Sequence, residues 1–311
     1  MNDLIRADVA LAPLTSLRVG GTAQYYAAPR HDQELAEVLQ WAGHQDYPIT
    51  ILGAGSNLLI SDHGLEGLVI CTRHLRGIHW DDDYGQVTAA AGEPVARLAM
   101  LAAERGWSGL EWAIGIPGTV GGMVVMNAGA QGGCAADCVV SVMGCDRLGT
   151  AKVLSVAELN FSYRTSSLQS CPQFLSTQAT LRLTPGGDPA VITQDTQAKL
   201  KQRHTTQPYH QPSCGSVFRN PEGYAAGWLI QQCGLKGFQI GQAQVSPLHA
   251  NFIVNLGGAT AGDVWRVLCH VQCVVLDRWA IALHPEVKTL GQMPQSSFTQ
   301  SVKDRSCLPL S

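Results

Sequence analysis

The sequence predicts an α+β protein in two parts, on three observations. Stretches with helical apolar spacing and stretches with alternating apolar residues are mixed along the chain, without the strict strand–helix alternation of a doubly wound sheet. A run of breakers, "TPGGDP" at 184–189, divides the chain. The 311 residues, 45% of them hydrophobic, suffice for more than one core.

The first helix is read from "HDQELAEVLQWAGHQ", where Leu35, Val38, Leu39 and Ala42 share a face and Gly43 is the expected stop. "YPITILGAGSNLLISD" begins as a short buried strand, and "GLVICT" and "GQVTAAAG" read as further strands. In "EPVARLAMLAAERGW" the stripe Val95, Leu98, Ala99 and Ala102 predicts a helix ended by Gly106. "FLSTQATLRL" alternates, placing Leu175, Thr177, Ala179, Leu181 and Leu183 on one side of a strand. Beyond the break come a polar helix ("VITQDTQAKLKQR"), a loop too rich in breakers for a helix ("HTTQPYHQPS"), a short helix ("AAGWLIQQC") and a strand ("NFIVNL"). A long helix near 260–281 follows, with Thr260 as N-cap and Asp263 in its first turn. The expected division is 1–184, 185–291 and a Ser-, Gln- and Pro-containing tail, 292–311, read as disordered and dispensable.

Composition removes several function classes. A net charge of −3 with no basic block argues against nucleic acid. No apolar run reaches the ~18 residues of a membrane span, and "CVVLDRWAIAL" is interrupted by Asp277 and Arg278. "MNDLIRADVALAP" has acids and no apolar run, so no signal peptide is read and a cytoplasmic protein is expected. Cys134 and Cys138, and Cys269 and Cys273 beside His270, are spaced four apart as ligands on one helix face could be. A metal site needs three or four convergent ligands, so these are read as reduced core thiols and no metal is expected.

Two glycine-rich stretches stand out. In "ILGAGSN", Gly53 and Gly55 begin a G-x-G pattern, but Leu58 takes the third glycine position and "LLISD" is strand-like. Where a ribose-binding acid would lie, the sequence has "RHLRG". A Rossmann site is therefore excluded. Two readings stay open: a tight turn, or an anion nest of backbone N–H groups with Ser56 and Asn57 as added donors. The second stretch holds eight glycines between 109 and 133 and almost no charge apart from Glu111. A long ligand lying along the backbone and held by amides explains this better than turns alone, and flavin fits it.

"CGSVFRNP" at 214–221 places Cys214, Ser216, Arg219 and Asn220 close together after the breaker-rich loop. With "SLRVGG", "GAGSNLLISD", "GLEWAIGIPGTVGGMVVMNAGA", "FSYRTSSL", "QPSCGSVFRNP", "GLKGFQIGQAQVSPLHANFIVN" and "HPEVKTLG" in this order, the chain from about residue 17 to 291 resembles the UDP-N-acetylenolpyruvoylglucosamine reductases. These are FAD enzymes of bacterial cell-wall precursor synthesis. The glycine loops alone would indicate only the wider superfamily of vanillyl-alcohol-oxidase (PCMH) type.

The resemblance implies an FAD-binding domain of two α+β subdomains followed by a smaller α+β substrate-binding domain. It implies that Gly53, Ala54, Gly55, Ser56, Asn57 and Leu58, with Pro117, Gly118, Thr119, Gly121, Gly122 and Asn127, hold FAD. Arg164, Ser216 and Glu286 would be catalytic, and Tyr163, Arg203, Arg219 and Asn220 would contact a UDP-sugar enolpyruvyl ether, with NADPH as hydride donor. A guanidinium suits a carboxylate that gathers charge, a protonated Glu286 could donate to the same carboxylate, and a Ser hydroxyl can protonate an enolate. Nothing in that reaction needs Cys214 as a nucleophile; it stands where a small residue such as Ala is expected. No spare segment between Asn220 and Asn251 could form the extra tyrosine loop of some members, so the shorter subtype is expected. A monomer is expected as well. The alternatives are another flavin oxidoreductase of the superfamily or a non-catalytic nucleotide-sugar or flavin-binding protein. The presence of Arg164, Ser216 and Glu286 together argues against both.

Overall fold

The computed structural model describes residues 4–171 and 174–295. The chain forms two compact units. The first comprises the chain up to Val9, Ala23–Ala54 and Glu66–Thr205; the second comprises Ala10–Thr22, Gly55–Leu65 and the chain from Thr206 onward.

The first unit holds two sheets. One has the strand order Ile5–Ala10, Thr22–Ala27, Leu65–Cys71, Ile49–Leu52, the last two parallel. The helix Asp32–His44 buries Leu35, Val38, Leu39 and Ala42, the expected stripe, among Ile5, Ala27, Leu68 and Ile70. This helix does not stop at Gly43. Asp46, at φ 53°, takes the left-handed position. Its amide donates to Gly43 O (3.3 Å) and the Tyr47 amide to Ala42 O (3.2 Å), closing the last turn. Asp tolerates this conformation because its short polar side chain can bond locally.

The second sheet is antiparallel, in the order Ala151–Ser155, Val139–Cys145, Leu175–Arg182, Gln86–Ala90, Ile78–Asp81. Leu175, Thr177, Ala179 and Leu181 are buried in alternation, as their spacing predicts. The helix Val95–Glu104 packs Val95, Leu98, Ala99 and Ala102 into the core with Val87, Ala89 and Leu181. It ends at Gly106 (φ 76°), with the Trp107 amide on Ala102 O (2.8 Å) and the Gly106 amide on Ala103 O (3.0 Å).

The polar helix Pro189–Thr206 follows the expected break, yet up to Thr205 it counts with the first unit. Gly187 donates to Gly106 O (2.9 Å), Gln131 Nε2 donates to Lys199 O (3.2 Å), and Leu200 packs against the first core. The breaker run is thus a turn within a unit. The second unit also takes in 10–22 and 55–65, which local pattern does not announce.

The second unit contains a small antiparallel sheet, Gln239–Ile240, Ala243–Val245 and Ile253–Asn255, and a parallel pair, Lys288–Leu290 with Leu58–Ile60. The helices Ala226–Gln232 and Ala261–Trp279 close its core, which contains Leu17, Leu59, Phe218, Leu229, Ile230, Val267 and Leu268. Thr260 is the N-cap of the long helix. Its hydroxyl accepts from the Asp263 amide (3.0 Å) while the Asp263 carboxylate accepts from the Thr260 amide (3.1 Å). Asp62 takes the next two donors, the amides of Ala261 (2.8 Å) and Gly262 (2.9 Å). Cys269 lies in this core, and His270 stacks on Phe238 at 4.1 Å. Among the described residues no group of three or more His, Cys, Asp or Glu is placed to hold a metal, and no helix is long and apolar enough to cross a membrane.

The tail expected to be disordered from 292 begins docked. Ser61 Oγ donates to Gln292 O (2.6 Å), Trp265 Nε1 donates to Pro294 O (2.9 Å), and Met293 packs on the second core. The rest of that tail, from Ser296, lies outside the described residues. Truncation after Gly291 is therefore expected to lower stability by about 1–3 kcal/mol, the range of two hydrogen bonds with some apolar contact. Truncation after Gln295 keeps these contacts. Chemical denaturation of the two truncated chains compares them directly, and identical midpoints would show that the 292–294 contacts contribute nothing.

Candidate active site

The loop after the strand Ile49–Leu52 is fixed from behind. Arg73 Nε donates to Gly53 O (3.0 Å) and Nη2 to Ala54 O (2.6 Å). In the same unit, Thr119 is 4% exposed, and its hydroxyl has no hydrogen-bond partner among the described residues. A Cβ on Gly53 would stand 2.9 Å from that oxygen, and one on Gly122 would stand 3.8 Å from it. A buried hydroxyl left without a partner costs about 1–3 kcal/mol. Set between two glycines, it is suited to an anionic or polar ligand group, so these residues fit the linker of a dinucleotide cofactor.

The glycines of the second stretch divide by use. Gly121 packs against the turn that follows the strand Gln86–Ala90, where its Cβ would be 3.0 Å from Ala91 Cβ. At Gly133 a Cβ would lie 2.5 Å from the Trp112 ring, and at Gly129 it would lie 2.6 Å from Gly133 O and 3.0 Å from Arg164 Nη1. Close packing within the protein requires these three to be small, whatever else lies against them. Gly118 gives its carbonyl to the Val95 amide (3.1 Å), and Pro117 is exposed beside it. Asn127, 5% exposed and at φ 41°, spends its side chain on the protein. Its Nδ2 donates to Ser162 O (2.8 Å) and its Oδ1 accepts from the Ala136 amide (2.9 Å).

That bond to Ser162 braces the turn carrying Tyr163 and Arg164. Ser162 and Thr165 exchange backbone hydrogen bonds, both 3.0 Å, so the two residues form the tip of a tight turn. Arg164 sits at φ 55°. Gln169 Nε2 donates to both Arg164 O (3.0 Å) and Val125 O (2.9 Å), and Ser166 Oγ donates to Val125 O (2.7 Å). The guanidinium lies 4.9 Å from the Tyr163 ring centre, and its Nη2 donates to Gly129 O (2.6 Å). A left-handed non-glycine residue braced from several sides is a common feature of functional sites. Arg203 lies in the last turn of the helix Pro189–Thr206.

In the second unit, Ser216 and Glu286 are carried by paired segments. The Glu286 amide donates to Val217 O (2.7 Å), Phe218 pairs with Pro285, and the Arg219 amide donates to His284 O (2.9 Å). Asn251 clamps the other side. Its carbonyl accepts from the Val217 amide (2.9 Å), its Oδ1 accepts from the Phe218 amide (3.0 Å), and its Nδ2 donates to Phe218 O (2.9 Å). Gly215, at φ 76°, turns the chain immediately before the half-buried Ser216. Asn57, expected at the cofactor, donates through Nδ2 to Glu286 O (3.1 Å) and accepts at its backbone carbonyl from the Lys288 amide (3.0 Å), so it holds the segment carrying Glu286. Gly55, Ser56 and Leu58 belong to this unit with it. Asn220 Oδ1 accepts from the Ala226 amide (3.0 Å) and secures the start of the helix Ala226–Gln232.

Cys214 is 3% exposed; burial pushes its thiol up to about 12, and the charge of Glu286 adds to the effect. At neutral pH it is a protonated core thiol and no nucleophile. Burial, followed by the charge of Arg219, holds the Lys288 ammonium below its ordinary value. Asn251 and Lys288 are absent from the residues expected at the site. The signals were "HAN" and "PEVK": Lys288 stands two residues after Glu286, whereas only the tertiary contacts bring Asn251 to Val217 and Phe218, beside Ser216.

Comparison with known proteins agrees with this architecture. Residues 207–290 match the C-terminal domain of UDP-N-acetylenolpyruvoylglucosamine reductase, and residues 23–155 match an FAD binding domain. The UDP-N-acetylenolpyruvoylglucosamine reductase of Nostoc punctiforme is 56% identical over 288 residues, covering 93% of this chain and 86% of that one. The reductase of the same name from Acaryochloris marina is 52% identical, covering 94% of each. The crystal structure of the Thermus caldophilus reductase (MurB) is similar with a TM-score of 0.78 at 34% identity, over 92% of this chain and 100% of that one. The fold is thus α+β, an FAD-binding domain followed by a smaller α+β domain, and the cofactor is FAD. By this sequence likeness and shared fold, the chain belongs to the UDP-N-acetylenolpyruvoylglucosamine reductase family, the FAD-dependent oxidoreductases that the order of its motifs suggested.

Proposed function

We propose that this protein reduces UDP-N-acetylenolpyruvoylglucosamine to UDP-N-acetylmuramate with NADPH, acting as a monomer in the cytoplasm. The observation that carries this reading is the pairing of 217–219 with 284–286, which places a serine hydroxyl and a carboxyl group on adjoining segments. FAD, when bound, relays hydride from NADPH to the terminal carbon of the substrate alkene.

The protein's own groups manage the charge and the proton. Arg164, always cationic, grips the substrate carboxylate as negative charge spreads into it. Glu286 in its protonated form donates to the same carboxylate. Ser216 gives a proton to the adjacent carbon, and the positive field of Arg219 and Lys288 eases the loss of that proton. Tyr163, Arg203, Arg219 and Asn220 are assigned to the sugar nucleotide. Gly53 to Leu58 and Pro117 to Gly122 are assigned to FAD, with Thr119 and Gly53 as the contacts best supported by the unpartnered hydroxyl. Asn127 is assigned to bracing the Tyr163–Arg164 turn beside them. In this division of labour the chain to 184 carries most of the cofactor contacts and supplies Tyr163 and Arg164 to the substrate, while the remaining substrate contacts come from 185–291.

The purified protein should be yellow, absorbing near ~450 nm, and should turn over NADPH beyond the single reduction of its flavin when the enolpyruvyl substrate is added. A colourless protein that takes up no added FAD would refute the assignment. Gly53→Val is expected to weaken FAD binding by ~10-fold or more, because its Cβ would meet Thr119 Oγ1 at 2.9 Å and fill the space beside it. Titration of deflavinated protein measures this, and an unchanged affinity would remove Gly53 and Thr119 from the cofactor site.

A further inference from the structure

We infer that Arg73 is a positioning residue for the cofactor, holding the first glycine loop so that its amides face the FAD diphosphate. The inference rests on the reading that the loop beginning at Gly53 binds that diphosphate. "RHLRG" stands where a dinucleotide-binding fold would place a ribose-binding acid, and the proposed chemistry gives it no task.

The fold brings Arg73 to the loop. The strands Ile49–Leu52 and Leu65–Cys71 are parallel and in register, Leu52 beside Cys71. The turn Thr72–His74 that follows one strand therefore adjoins the loop that follows the other. The guanidinium spans two successive carbonyls, Gly53 O from Nε and Ala54 O from Nη2. A trans peptide carries its N–H opposite its C=O. With both carbonyls fixed on Arg73, the N–H that follows each is turned to the far side. Successive N–H groups presented together form an anion nest, and a permanent cation behind them strengthens its pull.

The anchor of Arg73 is itself tied to the second cofactor loop. Gly92 donates to Leu75 O (2.9 Å) and admits the turn closely, since a Cβ there would lie 2.1 Å from Thr72 O. The neighbouring carbonyls of Ala91 and Glu93 accept from Gly121 and Val120, both at 2.9 Å. One short segment, 91–93, thus holds both the Arg73 turn and the glycine loop that contains Thr119. The forked geometry matters: a lysine ammonium is a point donor and replaces one of the two bonds.

The test is titration of deflavinated full-length protein with FAD for the wild type, Arg73→Lys, Arg73→Ala and Gly53→Val, with melting temperatures taken with and without FAD. Arg73→Ala is expected to weaken FAD by ~10-fold or more and to shrink the FAD-induced rise in melting temperature. The melting temperature of its apoprotein should fall less than that of the FAD-loaded protein, since only the two bonds to Gly53 O and Ala54 O are lost there. Arg73→Lys should fall between the two. If Arg73→Ala binds FAD like the wild type while Gly53→Val does not, Arg73 has no positioning role and the loop assignment stands. If neither substitution weakens FAD, the loop assignment fails and the inference fails with it. Equal drops in melting temperature with and without FAD would mark Arg73 as merely structural and overturn the inference.

Discussion

Ser216→Ala is expected to separate the two half-reactions. NADPH should bleach the flavin at close to the wild-type rate, because that step uses no substrate proton. Reoxidation by the enolpyruvyl substrate should slow by at least ~10²-fold, the lower end of what a positioned proton donor contributes. Loss of the hydroxyl should not disturb the segment. Gly215 sets the turn before it, and Val217 and Phe218 are held by Asn251 on one side and by Glu286 and Pro285 on the other. Ser216→Cys should recover part of the rate, since a thiol can also donate. Cys214→Ala is the internal control. Its thiol is buried and its pKa is pushed up to about 12, so removal should leave both half-reactions near the wild type. Stopped-flow absorbance of each half-reaction reads all four proteins. If Cys214→Ala abolished reoxidation and Ser216→Ala did not, the roles within 214–216 would be reversed.

Arg164→Lys is expected to lower kcat/KM for the enolpyruvyl substrate by roughly 10²- to 10³-fold, the cost of one preorganised donor to developing charge. Flavin content should not change. The substitution keeps the charge and removes the fork, so it tests geometry rather than net electrostatics. The left-handed backbone at 164 is equally strained for Arg and Lys, and its bracing by Gln169 uses the Arg164 carbonyl rather than the side chain. Asn127 reaches the same turn through Ser162 O. Thermal unfolding should therefore stay close to the wild type, apart from the lost bond to Gly129 O and the contact with the Tyr163 ring. A variant that turns over within a few-fold of the wild type would remove Arg164 from the reacting carboxylate. Loss of FAD from the variant would assign it to the cofactor instead.

Both experiments depend on residues that the motifs named, yet the motifs carried little about how those residues are held. "FSYRTSSL" points to Arg164; that Ser166 and Gln169 tie its turn to Val125, and Asn127 ties it to Ala136, is visible only in the folded chain. "CGSVFRNP" points to Ser216, while the clamp on it comes from Asn251, 33 residues away from Phe218. Asn57 was expected to face the cofactor because it follows the first glycine pair. Its side-chain amide also bonds to Glu286 O, 229 residues on, a role the motif does not announce.

Elements governed by neighbours within a few residues were legible. The stripes at 35–42 and 95–102, the alternation at 175–181, the stop at Gly106 and the cap at Thr260 follow from spacing or local backbone chemistry, which the sequence contains entirely. What depended on distant partners was not. Gly43 looked like a helix stop, but Asp46 provides it. Asp62 caps a helix that begins 199 residues later, and the first segment after "TPGGDP" packs back on the unit before it. The glycines between 109 and 133 look alike in the sequence. Gly121, Gly129 and Gly133 are required by Ala91, Arg164 and Trp112, whereas Gly53 and Gly122 flank a hydroxyl with no partner among the described residues. Periodicity reports which side of an element is buried; it carries no information on which atoms from elsewhere will stand against that side. The folded backbone decides that, and with it which glycines the rest of the protein requires.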